Sequence, residues 1–450
     1  MDPLLISTAF LFGFLVRKFG LPPLVGFLVA GFILNILGFE GGKLLQTFAD
    51  LGVTLLLFCI GLKLRLKSLT RPEVWAGTSL HMSITVIVFC LGLFGLKLAN
   101  VPYFDFLTLP QTALIAFALS FSSTVFAVKI FEEKGDIGSI HGRVSISILI
   151  MQDIFAVLFL TISLGKLPSL WALLIPLVLF AIKPILYRLM DQSGHGELLL
   201  LFGLFVAIVV GAEGFEIVGL KADLGALTLG VVLAQHHKSS ELAKTLMGLK
   251  ELLLVGFFLT IGLSGIPSLT AIGTSALLVG AVIFKFSLFF LLLTRFKLRA
   301  RSSLLASLGL ANYSEFGLIV AAVGASQGWL NTDWLVIISI ALAGTFIIAA
   351  PLNTAADRLY SRYRQKLCRF ETKTRHPDDQ PIESGDATIG VFGMGRICTK
   401  AYDFLKERYG DTVIGFDFNT ETVSGHREAG RSVVYGDPTD PDFFLRVRRR

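Results

Sequence analysis

Charge is what this sequence has least of. Only 16% of its 450 residues are Asp, Glu, Lys or Arg, and 54% are hydrophobic. A soluble domain carries about a quarter charged residues, so the composition excludes an ordinary water-soluble chain. The residue-by-residue alternation of a transmembrane barrel is missing too, because the apolar stretches are continuous. Cysteine is scarce. Cys59, Cys90, Cys368 and Cys398 show no metal-ligand spacing, and Cys59 and Cys90 lie in apolar runs, where Cys acts as a small hydrophobe. The opening stretch, MDPLLISTAFLFGFLV, has no basic n-region and no small-residue cleavage site, so it reads as a retained first span. No TVGYG-like potassium filter is found, which weighs against a channel. The net charge of +7 is modest and points to no nucleic acid.

What the sequence has is apolar runs of the length needed to cross a bilayer, about 20 residues. Thirteen candidate spans lie near 3–19, 22–38, 44–62, 74–96, 110–131, 144–164, 168–188, 197–213, 219–235, 249–265, 271–294, 303–326 and 333–356. The pair 197–213 and 219–235 is marked less sharply, because Glu213, Glu216, Lys221 and Asp223 crowd the turn between them. Basic residues test the count. Arg17, Lys18, Lys63, Arg65, Lys67, Arg71, Lys134, Arg143, Arg188, Lys238, Lys244, Lys250, Arg295, Lys297, Arg299 and Arg301 follow odd-numbered spans. After even-numbered spans stand only Lys43, Lys97, Lys166 and Lys221. Positive charge stays inside, so the expected orientation is N-terminus outside and C-terminus in the cytoplasm.

Three polar interruptions stand out. In SISILIMQDIFAVLFL (145–160), Asp153 sits mid-run beside Gln152. A carboxylate at that depth is costly and by default marks an ion or proton path; the blander reading is a buried Asp satisfied by its helix neighbours. Burial disfavours the charged form, so a proton and a cation compete for one site, which is sufficient for antiport. Gln152 offers a neutral oxygen, and a single carboxylate suits one proton per monovalent cation. In the fifth run, Ser120, Ser122, Ser123 and Thr124 put four hydroxyls into five residues. Hydroxyls can satisfy an unwound backbone and coordinate a dehydrated cation, or simply pack helices together. In the twelfth run, LANYSEFG carries Asn312, Ser314 and Glu315 between Gly309 and Gly317. The fifth and twelfth runs are seven apart, so the breaks correspond between two six-span halves. Paired interruptions of that kind point to a midplane site.

Glu315 would balance exposed backbone dipoles, or reach the membrane interface. Lys285, inside the eleventh run, needs a partner, for which Asp153 or Glu315 could serve, unless it snorkels to the surface. His81, His236 and His237 lie near span ends and read as interface residues.

From Asp357 the composition turns polar and basic, and residues 357–386 read as a linker or surface helix. ATIGVFGMGRICTKAYDFLKERYGDTVIGFDFN follows. It reads as a strand over 387–392, a Gly turn, a helix over 396–409, a strand over 412–417 and an acidic end. That is a βαβ dinucleotide fingerprint. Gly393 and Gly395 supply the tight turn and the close phosphate approach, Cys398 stands where a third Gly is expected, and Asp417 is placed to hold a ribose. SVVYGD forms a third strand. No catalytic constellation accompanies the turn, so an NAD-dependent enzyme is not expected. The chain ends 64 residues into this domain, short of a full doubly wound domain, which suggests truncation or completion by a partner. The closing Arg run reads as a solvated end.

Taken together, Ser122–Thr124, the Gln152–Asp153 pair, the NYSEFG break and GVFGMGR resemble the Kef-type potassium efflux systems of the monovalent cation:proton antiporter superfamily. The resemblance extends from LPPLVGFLVAG at 21–31 to the nucleotide motif. It implies an all-α polytopic domain over 1–356 with 13 transmembrane helices, inverted repeats and crossing broken helices in an NhaA-like arrangement. A linker over 357–386 and the N-terminal part of a cytoplasmic Rossmann-like regulatory domain over 387–450 would follow.

By the resemblance the chain is a homodimer in the lipid of a bacterial inner membrane and not an enzyme. It exchanges potassium for protons at Asp153 and Gln152, with the hydroxyls of Ser122, Ser123 and Thr124. Asn312, Glu315 and Lys285 support the break. Gly393, Gly395, Arg396 and Asp417, with Asp437 on the base side, would hold a nucleotide such as AMP or NAD(H). An ancillary regulatory subunit is a further implied partner. Glutathione-gated members carry an acidic His-x-Leu-Glu loop, where this chain has the basic HHKSSELAKTLMGLKELLL. Sodium as the cation and a nucleotide-gated potassium channel are the alternatives.

Overall fold

The computed structural model describes residues 3–63, 70–163, 175–217, 222–376, 382–436, 438, 443 and 447–449. Apolar composition sets helix after helix. They are α1 (Pro3–Lys18), α2 (Pro23–Ile36), α3 (Lys43–Lys63), α4 (Pro72–Leu98), α5 (Leu109–Ser120), α6 (Thr124–Glu133), α7 (Ile140–Ser163) and α8 (Ile175–Gln192). Next come α9 (Glu197–Ile217), α10 (Ala222–Leu233), α11 (Ser239–Leu263), α12 (Leu269–Arg295), α13 (Ala300–Leu310), α14 (Glu315–Ser326), α15 (Asp333–Thr354) and α16 (Ala356–Leu367). Prolines open α2 and α4, where a missing N–H costs nothing. A capping box of Thr108 and Gln111 opens α5. Among the described residues, eight helices are long and apolar enough to cross a membrane, two of them counted across a break, Leu109–Glu132 and Ala300–Ser326. The protein is a multi-pass membrane protein.

The chain divides into two compact units. The first comprises residues 1–124, 147–285 and 311–350; the second comprises 125–146, 286–310 and 351–450. In the first unit α3, α8, α9, α10 and α11 share a core built on Leu55, Phe58, Leu186, Phe202, Leu229 and Leu246. Small residues let the backbones close on one another. A Cβ at Gly61 would stand 2.8 Å from the Cα of Gly230, and one at Gly31 2.7 Å from the Cα of Gly262. Such close crossings give helices in lipid their van der Waals contact. α11 starts at Ser239, ten residues ahead of the run expected from hydropathy, because its amphipathic SSELAKTLMG stretch continues the helix.

Two breaks interrupt this pattern. α5 ends at Ser120, the backbone turns extended at Phe121 (ψ 150°), and helix resumes at Thr124. α13 ends at Leu310, and α14 restarts at Glu315 behind an extended Ser314 (φ −115°, ψ 150°). These are the hydroxyl-rich and NYSEFG stretches. His81 lies inside the fold. It is fully buried in α4, in line with the equally buried Thr78 and Thr85, a spacing that puts all three on one inward face. His236 is buried as well.

The second unit packs α16 through Ala356 and Tyr360 against Phe290, Ala300, Leu304 and Leu308. Its C-terminal part is α/β. β2 (Ile389–Phe392), β3 (Val413–Asp417) and β4 (Val433–Tyr435) form a parallel sheet in the order β2-β3-β4. α17 (Arg396–Tyr409) and α18 (Thr420–Glu428) make the crossovers. The core is Val391, Met394, Tyr402, Val413, Val423 and Val433, with Cys398 packed against it. A thiol thus occupies the third-Gly position and fills part of the helix–strand space.

Residues 357–386, read as a linker or surface helix, contain most of α16 and also β1 (Ile382–Gly385). Part of the closing Arg run is also ordered, since β5 (Val447–Arg449) pairs in parallel with β1. Ladder hydrogen bonds to β1 hold these residues, whatever their side-chain charge.

Candidate functional site

The two breaks meet in the first unit. The Ser123 amide donates to Asn312 Oδ1 at 2.7 Å, and its hydroxyl donates to Glu315 Oε2 at 2.8 Å. Residues about 190 positions apart in sequence therefore satisfy one another where each helix has come undone, as unwound backbone at membrane depth requires. Ser314 caps α14, its hydroxyl accepting from the Phe316 amide.

The helix ends are sorted by charge. Helix C-termini leave carbonyls unsatisfied and carry partial negative charge. The Lys285 ammonium donates to the carbonyls of Leu119 (3.1 Å), Phe121 (2.7 Å) and Asn312 (2.8 Å), just where α5 and α13 end. It also lies 5.1 Å from the centre of the Tyr313 ring. Its three donors go to backbone oxygens and not to Asp153 or Glu315, the partners expected from sequence. Backbone carbonyls at two helix ends supply what a carboxylate would otherwise have to.

Asp153, on α7, is 1% exposed. The Thr124 hydroxyl donates to its Oδ2 at 3.3 Å. Beside it the Ser122 amide donates to Gln152 Oε1 at 2.8 Å. That bond fixes the amide's orientation: the Gln152 oxygen ties down the unwound backbone and keeps a second lone pair, while Nε2 is a donor. Ser122 Oγ and Gln152 Nε2 are both buried and have no partner among the described residues. Buried polar atoms are normally satisfied, so an orphaned hydroxyl here marks room for a ligand or water. The oxygen donors gathered here are Asp153, Gln152, Thr124 and Ser122. Oxygen donors suit hard cations.

Sequence reasoning passed over Tyr313 and Thr345. Tyr313 donates its hydroxyl to the Leu278 carbonyl at 2.5 Å, and its amide donates to Thr345 Oγ1 at 3.2 Å. Both hold the second break. The signal was faint: a Tyr inside the quoted motif, and a Thr in the middle of the apolar run of α15. A separate cavity of about 520 Å³ is lined by Asp50, Thr54, Glu216, Thr260, Ser264 and Ser326 among others.

In the second unit Gly393 takes φ +75°, a conformation suited to glycine. A Cβ at Gly393 or Gly395 would meet nothing within 4 Å, so the turn opens onto free space at the N-terminus of α17, where Arg396 is exposed. That geometry fits a phosphate. Asp417 is 7% exposed. Its Oδ2 accepts from the Met394 amide at 2.7 Å and its Oδ1 from the Asn419 amide at 2.8 Å. It therefore already organises the Gly turn, with a second lone pair on each oxygen left for a ribose. His426, which sequence reasoning did not single out, donates to the Met394 carbonyl at 2.8 Å. Asp437 lies outside the described residues.

The strand ends of this domain touch the segment between α6 and α7. The Ile140 amide donates to the Tyr435 hydroxyl at 3.2 Å, and the Arg143 guanidinium lies 5.8 Å from the Tyr435 ring centre. A Cβ at Gly138 would stand 3.4 Å from the Phe418 ring. In the same segment His141 Nε2 lies 3.2 Å from Asp136 Oδ2. Burial pushes the Asp136 carboxyl up, but the His141 imidazole and the charges of Arg301 and Lys134 outweigh it and hold the group below the ordinary carboxylate range.

A helical membrane chain whose broken spans meet through Ser123, Asn312 and Glu315, near a buried carboxylate, fits the class of secondary ion transporters. More particularly, the chain belongs to the sodium/hydrogen exchanger transmembrane family, which matches residues 6–354, and a TrkA-N domain matches residues 389–448. It is 28% identical to the glutathione-regulated potassium-efflux system protein KefC of Salmonella schwarzengrund, over 95% of this chain and 70% of that protein. It is 26% identical to KefC of Shigella flexneri serotype 5b, with the same coverage. Among solved structures it is similar to the sodium proton antiporter MjNhaP1 of Methanocaldococcus jannaschii, at 15% identity and a TM-score of 0.49, covering 81% of this chain and 96% of that one. These relatives are transporters, not enzymes.

Proposed function

We propose that this protein exchanges potassium for protons across a bacterial inner membrane, by alternating access around Asp153, under the control of its C-terminal domain. The observation that carries the reading is the buried Asp153 carboxylate facing the Thr124 hydroxyl, beside the orphaned hydroxyl of Ser122. A proton or a cation neutralises the carboxylate. The neutral site can then move between the two sides, while the bare charge cannot cross cheaply. Asn312, Glu315 and Lys285 keep the broken helices satisfied in place, and Gln152 and Ser123 orient the unwound backbone. One carboxylate carries one charge, so exchange is one for one and electroneutral. Thirteen spans in two inverted halves, an outside N-terminus and a homodimer complete the proposed arrangement. Residues 1–356 form the transport domain, 357–386 connect it, and 387–450 begin the regulatory domain.

In the regulatory domain Gly393, Gly395, Arg396 and Asp417 would hold a nucleotide such as AMP or NAD(H). The nucleotide supplies no transport chemistry. Its binding edge adjoins Phe418, Asn419 and Tyr435, the residues that meet the segment before α7. Ile140 opens α7, and Asp153 stands on the same helix about 20 Å further along at 1.5 Å per residue. A nucleotide that shifts Tyr435 would therefore act on the helix that bears the carboxylate. An ancillary subunit could act on the same domain.

Potassium is favoured by the efflux-system relatives, which align over 95% of the chain. Sodium is favoured by the name of the family that matches 6–354. Proteoliposomes loaded with a pH-sensitive dye separate the two. A potassium gradient should drive proton movement that a potential clamped with an ionophore does not alter. Proton movement with sodium alone would transfer the reading to sodium, and strong voltage dependence would sink one-for-one exchange.

A further inference from the structure

Asp191 ends α8, and His236 and His237 follow α10. All three belong to the first unit and lie outside the ion site. His236 Nε2 is 3.3 Å from Asp191 Oδ1, and His237 Nε2 is 3.6 Å from the same oxygen. The ligand atoms of the three residues all lie within 4.8 Å of one another. Metal–ligand distances of about 2.1 Å in a tetrahedral site place neighbouring donors about 3.4 Å apart, close to the two His–Asp separations of 3.3 and 3.6 Å, with the two imidazoles within 4.8 Å of each other.

The cluster is held from outside. The Tyr187 ring meets His236 edge-on at 4.8 Å, and the Tyr187 hydroxyl donates to the Val232 carbonyl. Lys183 donates to Gln235 Oε1 at 3.1 Å. The Lys238 ammonium donates to the carbonyls of Asp191 and Gly194 at 3.1 and 3.2 Å, so its bonds leave the Asp191 carboxylate available. His236 is buried, while Asp191 and His237 are exposed, with side chains 53% and 71% accessible. An ion could therefore enter from solvent and keep water in its remaining positions.

We propose that Asp191, His236 and His237 form a transition-metal site of the zinc class, joining the end of α8 to the turn between α10 and α11. Two imidazoles and one carboxylate suit Zn²⁺, Co²⁺ or Ni²⁺ and disfavour Mg²⁺ and Ca²⁺, which take oxygen ligands. Binding through His236 Nε2 moves that ring's proton to Nδ1 and displaces the Lys238 amide, which now donates to Nδ1 at 3.2 Å. That amide belongs to the N-cap residue of α11, where water can take over as acceptor.

The test uses the full chain in detergent, free of any polyhistidine tag and stripped of metal. Zinc chloride is titrated by calorimetry and cobalt chloride by visible absorption. Wild type should take up one zinc per chain, give cobalt bands of an imidazole-bound site, and melt at a higher temperature with zinc. His237→Ala and Asp191→Asn, both at exposed positions, should each weaken zinc binding by about tenfold or more. His195→Ala, which removes a ring paired with Glu241 instead, should leave it unchanged. Wild type with no stoichiometric zinc, or with affinity matched by His237→Ala and Asp191→Asn, would overturn the site. Protection by zinc that persists in those two variants would overturn it as well.

Discussion

The Thr124 hydroxyl stands 3.3 Å from Asp153 Oδ2, across 29 residues of sequence. It belongs to the first residue of a resumed helix, and the carboxylate sits mid-helix in the next span. Thr124→Val keeps the shape and removes the oxygen. A hydrogen bond to a charged group contributes about 1.5–3 kcal/mol, so the apparent cation affinity of exchange should fall by roughly tenfold or more. Thr124→Ser should restore it. Equal half-saturation for wild type and Thr124→Val would remove Thr124 from the site.

Lys285 holds three carbonyls at the two helix ends. Lys285→Met should lower the thermal midpoint of the purified protein by several degrees, because Leu119, Phe121 and Asn312 lose their shared donor. An unsatisfied buried group costs about 1–3 kcal/mol. An unchanged midpoint would mean that water replaces the ammonium and that its role lies elsewhere.

Asp136 gives a pH dependence of definite sign. Its folded carboxyl lies below the ordinary 3.8, so the stability it contributes is present above that value and lost as pH falls through the folded one. Asp136→Asn should melt lower than wild type at pH 7, and the gap should close as pH drops below 3.8. A gap that stays constant with pH would show that the His141 pairing adds nothing.

Tyr435→Phe removes the oxygen that accepts from the Ile140 amide and keeps the ring beside Arg143. Nucleotide affinity should stay as in wild type, while the response of exchange to nucleotide should shrink. Loss of binding itself would place Tyr435 in the nucleotide site, and an unaltered response would remove it from the coupling.

Much of the candidate site was legible because burial makes polar residues conspicuous. Asp153, the hydroxyls at 122–124 and the Asn312–Glu315 stretch interrupt long apolar runs, and the structure brings both breaks together through Ser123. What stayed hidden depended on backbone atoms. Lys285 was read against carboxylates because sequence lists side chains, whereas its partners are main-chain carbonyls exposed only where helices end. Gln152 was read as an oxygen for an ion, and that oxygen also accepts from a backbone amide freed by the break. His81 looked peripheral from its place in the run, yet it shares a buried face with Thr78 and Thr85. In the C-terminal domain the Gly turn and α17 were legible from spacing, while α18 and the β1–β5 pairing were not. A nine-residue polar helix and strands of four and three residues carry too little periodicity.

The central claim is that one carboxylate couples the two ions, and Asp153→Asn tests it most directly. The variant is reconstituted beside wild type, and proton movement is recorded after a potassium gradient is imposed. Wild type should move protons and the variant should not, with the variant's thermal midpoint showing that it is folded. A folded Asp153→Asn protein exchanging potassium for protons at the wild-type rate would contradict the claim outright.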